Sequence, residues 1–98
     1  MTFTVVKKLT RPNTDTDWHE SSSEKADYMD VQDANGNRVA IDMDISENEL
    51  IKTITTVWKD EETLNTVRDD SRVESHRSDR EEYNYENDII LEKKAFQS

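Results

Sequence analysis

Residues Arg38 to Ile45 read R-V-A-I-D-M-D-I, an alternation that sets Val39, Ile41, Met43 and Ile45 on one face and Arg38, Asp42 and Asp44 on the other. A helix turns by about 100° per residue and would scatter those apolar side chains around its axis, so the segment is constrained to be a strand with one face to bury. The polar turn Ser46, Glu47, Asn48 follows, and then Leu50 to Trp58, again rich in Ile, Thr and Val, which predicts a hairpin. Ahead of it, Asn35 and Gly36 supply a stop, since both tolerate the left-handed conformation that closes a helix.

The remaining elements are read outward from this hairpin. Thr2 to Thr10 places Phe3, Val5 and Leu9 on one face at period two, and Arg11, Pro12 and Asn13 end the strand because proline cannot donate to a ladder. Asp17 to Asp33 carries Trp18, Ala26 and Met29 at spacings that fit one helix face, interrupted by Ser21, Ser22 and Ser23. Asp60 is a good N-cap, with Glu61 and Glu62 in the first turn and Leu64 and Val67 facing inward. That helix is expected to run through Val73 to Tyr83 or Tyr85, with a break near Asp69 to Ser71, before a last strand from Asn87 to Phe96. The order β-α-β-β-α-β predicts a single ferredoxin-like α+β domain over residues 1–98, with a four-stranded antiparallel sheet and two helices on one face.

Composition decides how such a domain can be stable. Leu, Ile, Val and Phe make up only 19 of the 98 residues, against 23 acidic and 13 basic side chains and a net charge of -10. A chain of this length buries roughly 60 to 65% of its unfolded surface, so so lean a core is marginal by itself. The uncovered sheet face calls for a partner, and a homodimer is expected. With no cysteine, disulfides and thiolate chemistry are excluded. The acidic balance disfavours nucleic acid and anionic membranes as partners. No apolar run approaches a membrane span, and M-T-F-T-V-V-K-K-L-T lacks the order of a signal peptide, so a soluble, cytoplasmic protein is expected.

The wording of three segments resembles one known group. E-L-I-K-T-I-T-T-V-W-K-D-E-E-T-L, from Glu49 to Leu64, is similar to the strand-to-helix junction of the dimeric α+β barrel superfamily. The T-R-P at Thr10 to Pro12 and R-E-E-Y-N-Y-E-N-D-I at Arg80 to Ile89 resemble the same group, which includes antibiotic-biosynthesis and haem-degrading monooxygenases. The resemblance implies homodimers paired sheet to sheet, with a pocket between sheet and helices in each protomer. In the haem-degrading branch a histidine on the second helix binds iron, and His76 falls near that position. That branch also uses an asparagine on strand one and a tryptophan on the second helix. This chain offers Val5, Val6, Lys7 and Lys8 at the first and Thr66 or Val67 at the second, so no cofactor is expected and haem is disfavoured.

Several residues are candidates for chemistry. His76 has an imidazole able to bind metal or move protons, although a surface histidine among Glu74, Arg77 and Asp79 is the plainer reading. Trp18 and Trp58, with Tyr83, are candidates for pocket walls, or else core residues. Arg68, Arg72, His76 and Arg80 recur every four residues, and on a continuous helix they would form a basic stripe able to hold a carboxylate or phosphate. Pairing with Asp69, Glu74, Asp79 and Glu81 is the plainer alternative. Asp33, Asn35, Asn37 and Asp44 match part of a calcium loop, but Arg38 stands where glycine is needed; Asp15, Asp17, His19 and Glu20 read as an acidic helix start, and no metal site is expected.

Three functions follow from these features. The leading expectation is a homodimeric, non-catalytic binding or structural module, whose partner beyond its own copy is either a small-molecule ligand or a basic protein. The alternative is a monooxygenase-like enzyme, cofactor-independent or haem-binding, using His76 with Trp18, Trp58 and Tyr83 around a pocket and Arg72 and Arg80 as pocket cations. A third is an acidic decoy, viral in style, whose negative charge engages a basic protein partner.

Overall fold

The computed structural model describes residues 1–98. The alternating segment forms strand β2 (Arg38–Ile45), paired with β3 (Ile51–Trp58); β1 (Phe3–Thr10) and β4 (Ile90–Gln97) complete one antiparallel sheet in the order β2-β3-β1-β4. Helices α1 (Ser23–Ala34), α2 (Glu61–Arg68) and α3 (Ser71–Glu86) supply the core residues that pack on one face of this sheet. The architecture is ferredoxin-like α+β, as the element order predicts.

Two expected boundaries move. The first helix begins at Ser23 instead of Asp17, because the Ser22 side chain accepts from the Lys25 backbone N–H and fixes the N-cap there. The expected break near Asp69 to Ser71 is present and makes two helices: Asp70 accepts from the Arg72 N–H and caps a new one, so α2 and α3 are distinct. Asn87 and Asp88 belong to the α3 exit, where Asp88 takes the left-handed conformation at φ 57°, and the last strand starts at Ile90. Gly36, with φ 75°, makes the turn into β2. No helix is long and apolar enough to cross a membrane.

The core is as thin as the composition requires. Val5, Met29, Trp58, Leu64 and Val67 form one buried cluster, with Phe3, Tyr28 and Val73 packed against it. Helix α2 is anchored by Leu64 and Val67 and started by Asp60, whose carboxylate accepts from the Thr63 N–H at 2.7 Å. Helix α3 is twice as long, yet its one buried residue is Asn84. An α-helix that brings so little apolar surface inward cannot seal the sheet beneath it.

Candidate functional site

The site follows from what the inward faces carry. Val73, His76, Arg77 and Arg80 are spaced i, i+3, i+4, i+7, the stripe that an ordinary surface helix fills with apolar residues, and here they point toward the sheet. On β1 the inward positions alternate as Val5, Lys7, Leu9, so a lysine stands between two core residues. In register beside it lie Lys93 of β4 on one side and Ile54 of β3 on the other. Charged side chains facing each other this way cannot pack dry. A cavity of about 980 Å³ remains between the sheet and the helices, lined by 28 residues of which 12 are hydrophobic.

The charge inside is opposite to that of the whole chain. Nine of the 13 basic side chains line the cavity, with only Asp17, Glu20 and Asp30 as acids among the lining. Lys7, Lys25, Arg68, Arg80 and Lys93 have no carboxylate within 4.0 Å, since the ion pairs of the chain are Arg38–Asp33, Arg72–Asp70 and Arg77–Glu74. Burial, reinforced by the charges of Arg80, Lys93, Lys25 and Arg68, lowers the Lys7 amine to about 7. Burial and neighbouring cations also lower Lys25 and Lys93. The same causes, with Lys25 the largest of the charges, bring His76 down to about 4, so its imidazole is neutral at pH 7. Arg80 Nε is buried with no acceptor.

Aromatic rings also line the cavity. Trp18 lies in the irregular segment before α1, with the Arg11 guanidinium 4.6 Å from its ring centroid and Lys52 Nζ 5.7 Å away. Arg11 holds that segment by donating to the Thr16 carbonyl at 2.8 Å, and the Tyr83 hydroxyl donates to the Asp17 carbonyl at 2.6 Å. The His19 ring is 5.2 Å from His76 and 5.3 Å from Tyr83. Buried Trp58 donates from Nε1 to Thr56 Oγ1 and forms part of the floor.

Of the residues singled out from sequence, His76, Trp18, Trp58 and Arg80 line the cavity, while Tyr83 stands behind the wall and braces it. Arg72 does not line it. Because α3 starts afresh at Asp70, Arg72 folds back onto that carboxylate at 2.9 Å and over the Tyr28 ring, which breaks the expected stripe. Arg68 still reaches the cavity, but from α2. The half calcium loop is tied up by a bidentate Arg38–Asp33 pair at 2.6 and 2.8 Å, and no three His, Cys, Asp or Glu residues gather as metal ligands. The inward lysines Lys7, Lys25, Lys52 and Lys93 were not anticipated. The available signal was Lys7 itself, at the core phase between Val5 and Leu9.

A haem does not fit these residues. His76 is the histidine on offer, but its ring is flanked by His19, and its proton affinity is depressed by Lys25, Arg80 and Lys7, a positive setting that disfavours a ferric ion.

No family profile matches the sequence, and none of the curated proteins compared with it is similar. Solved structures do match along nearly all of the chain. A conserved protein of unknown function from Bacteroides thetaiotaomicron superposes with TM-score 0.66 at 13% identity, covering 99% of this chain and 97% of that one. SnoaB, a cofactor-independent oxygenase from Streptomyces nogalater, superposes with TM-score 0.62 at 12% identity over 99% of this chain and 92% of its own. A dimeric ferredoxin-like protein from an uncultured marine organism gives TM-score 0.59 at 8% identity over 97% and 92%. These likenesses establish the fold alone: this chain has the ferredoxin-like α+β architecture that those proteins share.

Proposed function

We propose that this protein is a homodimeric small-molecule-binding protein whose ligand occupies the cavity between sheet and helices. The observation that carries this reading is the cavity itself: about 980 Å³ with mixed polar and apolar walls, at the upper end of the range for drug-sized ligands. The dimer is supported by exposed apolar residues in the single protomer. Ile90 and Phe96 lie on the sheet face away from the helices, and Ile41 and Met43 line the cavity while remaining 48% and 54% exposed. A second copy would cover the open face and finish the wall at the β2 edge. The dimeric ferredoxin-like protein of the same fold supports that arrangement.

The test is an amide NMR titration with three aromatic probes, neutral 1-naphthamide and the anions 1-naphthoate and 1-naphthyl phosphate. Shift changes confined to β1, β3, α1 and α3 positions around the cavity are expected; absence of binding by all three, or changes scattered over the outer surface, would overturn the reading.

A second reading is oxygenase chemistry like that of SnoaB, and it is favoured by two proton acceptors in the cavity, the near-neutral Lys7 amine and neutral His76. Such a site would deprotonate a CH₂ acidified by a neighbouring aryl ketone, which O₂ then converts to a carbonyl with release of water. Oxygen uptake with dithranol that is lost in Lys7→Met is the expected sign, and uptake equal to the spontaneous rate removes this reading.

A further inference from the structure

Lys7 and Lys93 stand directly opposite each other in the antiparallel register of β1 and β4, both on the face that looks into the cavity. Like charges so placed repel and destabilise the sheet. Nothing in the chain relieves them, for no carboxylate lies within 4.0 Å of either, and Lys25, Arg68 and Arg80 arrive from three different helices with no carboxylate either. Arg80 adds a buried N–H that has no acceptor. An unsatisfied buried donor is costly, so the Arg80 Nε–H, with four further unpaired cations facing the same space, is chemically suited to negative oxygen atoms.

The composition makes the concentration of charge more telling. In a chain with a net charge of -10, 20 of the 23 acidic side chains lie away from the cavity, so the outer surface repels anions and the interior attracts them. The five unpaired cations gather around Lys7, midway along β1. Across β3 and β2 from it, Ile54 and Met43 offer an apolar floor that Trp58 extends, and Trp18 adds an aromatic wall. A ligand that satisfies both the cations and this floor has an apolar, aromatic body and a carboxylate or phosphate.

We propose that the cavity binds an aromatic oxyanion, with its carboxylate or phosphate held by Lys7, Lys93 and Arg80 and its ring against Ile54, Met43 and Trp58. This rests on the cavity being the ligand site. Planar guanidinium and paired ammonium groups suit the shared geometry of the two oxyanions.

The experiment compares 1-naphthoate and 1-naphthyl phosphate with neutral 1-naphthamide, each followed by tryptophan fluorescence on the intact protein. At least one anion is expected to bind roughly tenfold or more tightly than the amide. The tighter of the two identifies the headgroup as carboxylate or phosphate. Lys7→Met and Arg80→Met are each expected to remove most of that preference while leaving amide binding in place. Lys8→Met, on the opposite sheet face in register with Glu92, is expected to change nothing. Circular dichroism on each variant separates lost preference from lost folding, and Lys93→Met provides an independent third removal. Equal affinity for anions and amide would overturn the anion proposal and leave the cavity reading standing. Failure of all three probes would remove the cavity reading itself.

Discussion

At the residue scale the protein is defined by lysine where a core residue belongs. Lys7 shares its face with Val5 and Leu9, and burial brings its amine to about 7. The folded-state value lies below the unfolded one of 10.5, so the unfolded chain holds more protons between those limits. The penalty is therefore fully present below pH 7 and is relieved as pH rises from 7 toward 10.5. Lys7→Met is expected to stabilise the fold by about 2 kcal/mol at pH 6 and by much less at pH 10, measured by urea unfolding. His76 behaves in the same sense at lower pH. Its neutral form is favoured on folding, so stability is lost as pH falls from 6.5 through about 4, and an NMR titration of its ring protons should give a midpoint near 4. Lys7 was legible in the sequence as an interruption of the period-two pattern, but alternation alone does not distinguish an inward lysine from a slipped register.

At the element scale, α2 holds and α3 stands off. Leu64 and Val67 are 5% and 2% exposed, whereas the inward side of α3 presents His76, Arg77 and Arg80. Leu64→Ala should cost about 2 to 4 kcal/mol. Arg80→Leu should instead raise the thermal midpoint, because it replaces a desolvated cation with apolar packing; a lower midpoint would mean that Arg80 is structural. The strands were legible because β2 alternates cleanly, β3 is rich in Ile, Thr and Val, and their polar turn is short. The break near Asp70 was legible too, but the start of α1 was not, since it depends on a side-chain cap at Ser22 and several serines and aspartates nearby compete for that role. The break moved Arg72 out of the site, because the expected stripe needed one unbroken helix.

At the scale of the whole molecule, the sequence shows the total charge and conceals its distribution. A net charge of -10 points toward a basic partner, yet folding gathers nine of 13 cations around a single cavity. The registers of all four strands and the approach of three helices bring those residues together, and no local pattern encodes either. The unpaired sheet face predicts a solution mass of twice 11.5 kDa by light scattering. Phe96→Arg, on that face opposite Thr4, should reduce the mass to a monomer's; a wild-type monomer at micromolar concentration would show that the face is not an interface between copies. The most direct test of the account is calorimetric titration of the wild-type protein with 1-naphthoate at two ionic strengths. Affinity should fall several-fold between about 20 mM and about 300 mM NaCl, while that for 1-naphthamide stays constant. Naphthoate binding that matches the amide and ignores salt would contradict the claim that this cavity is built for an anion.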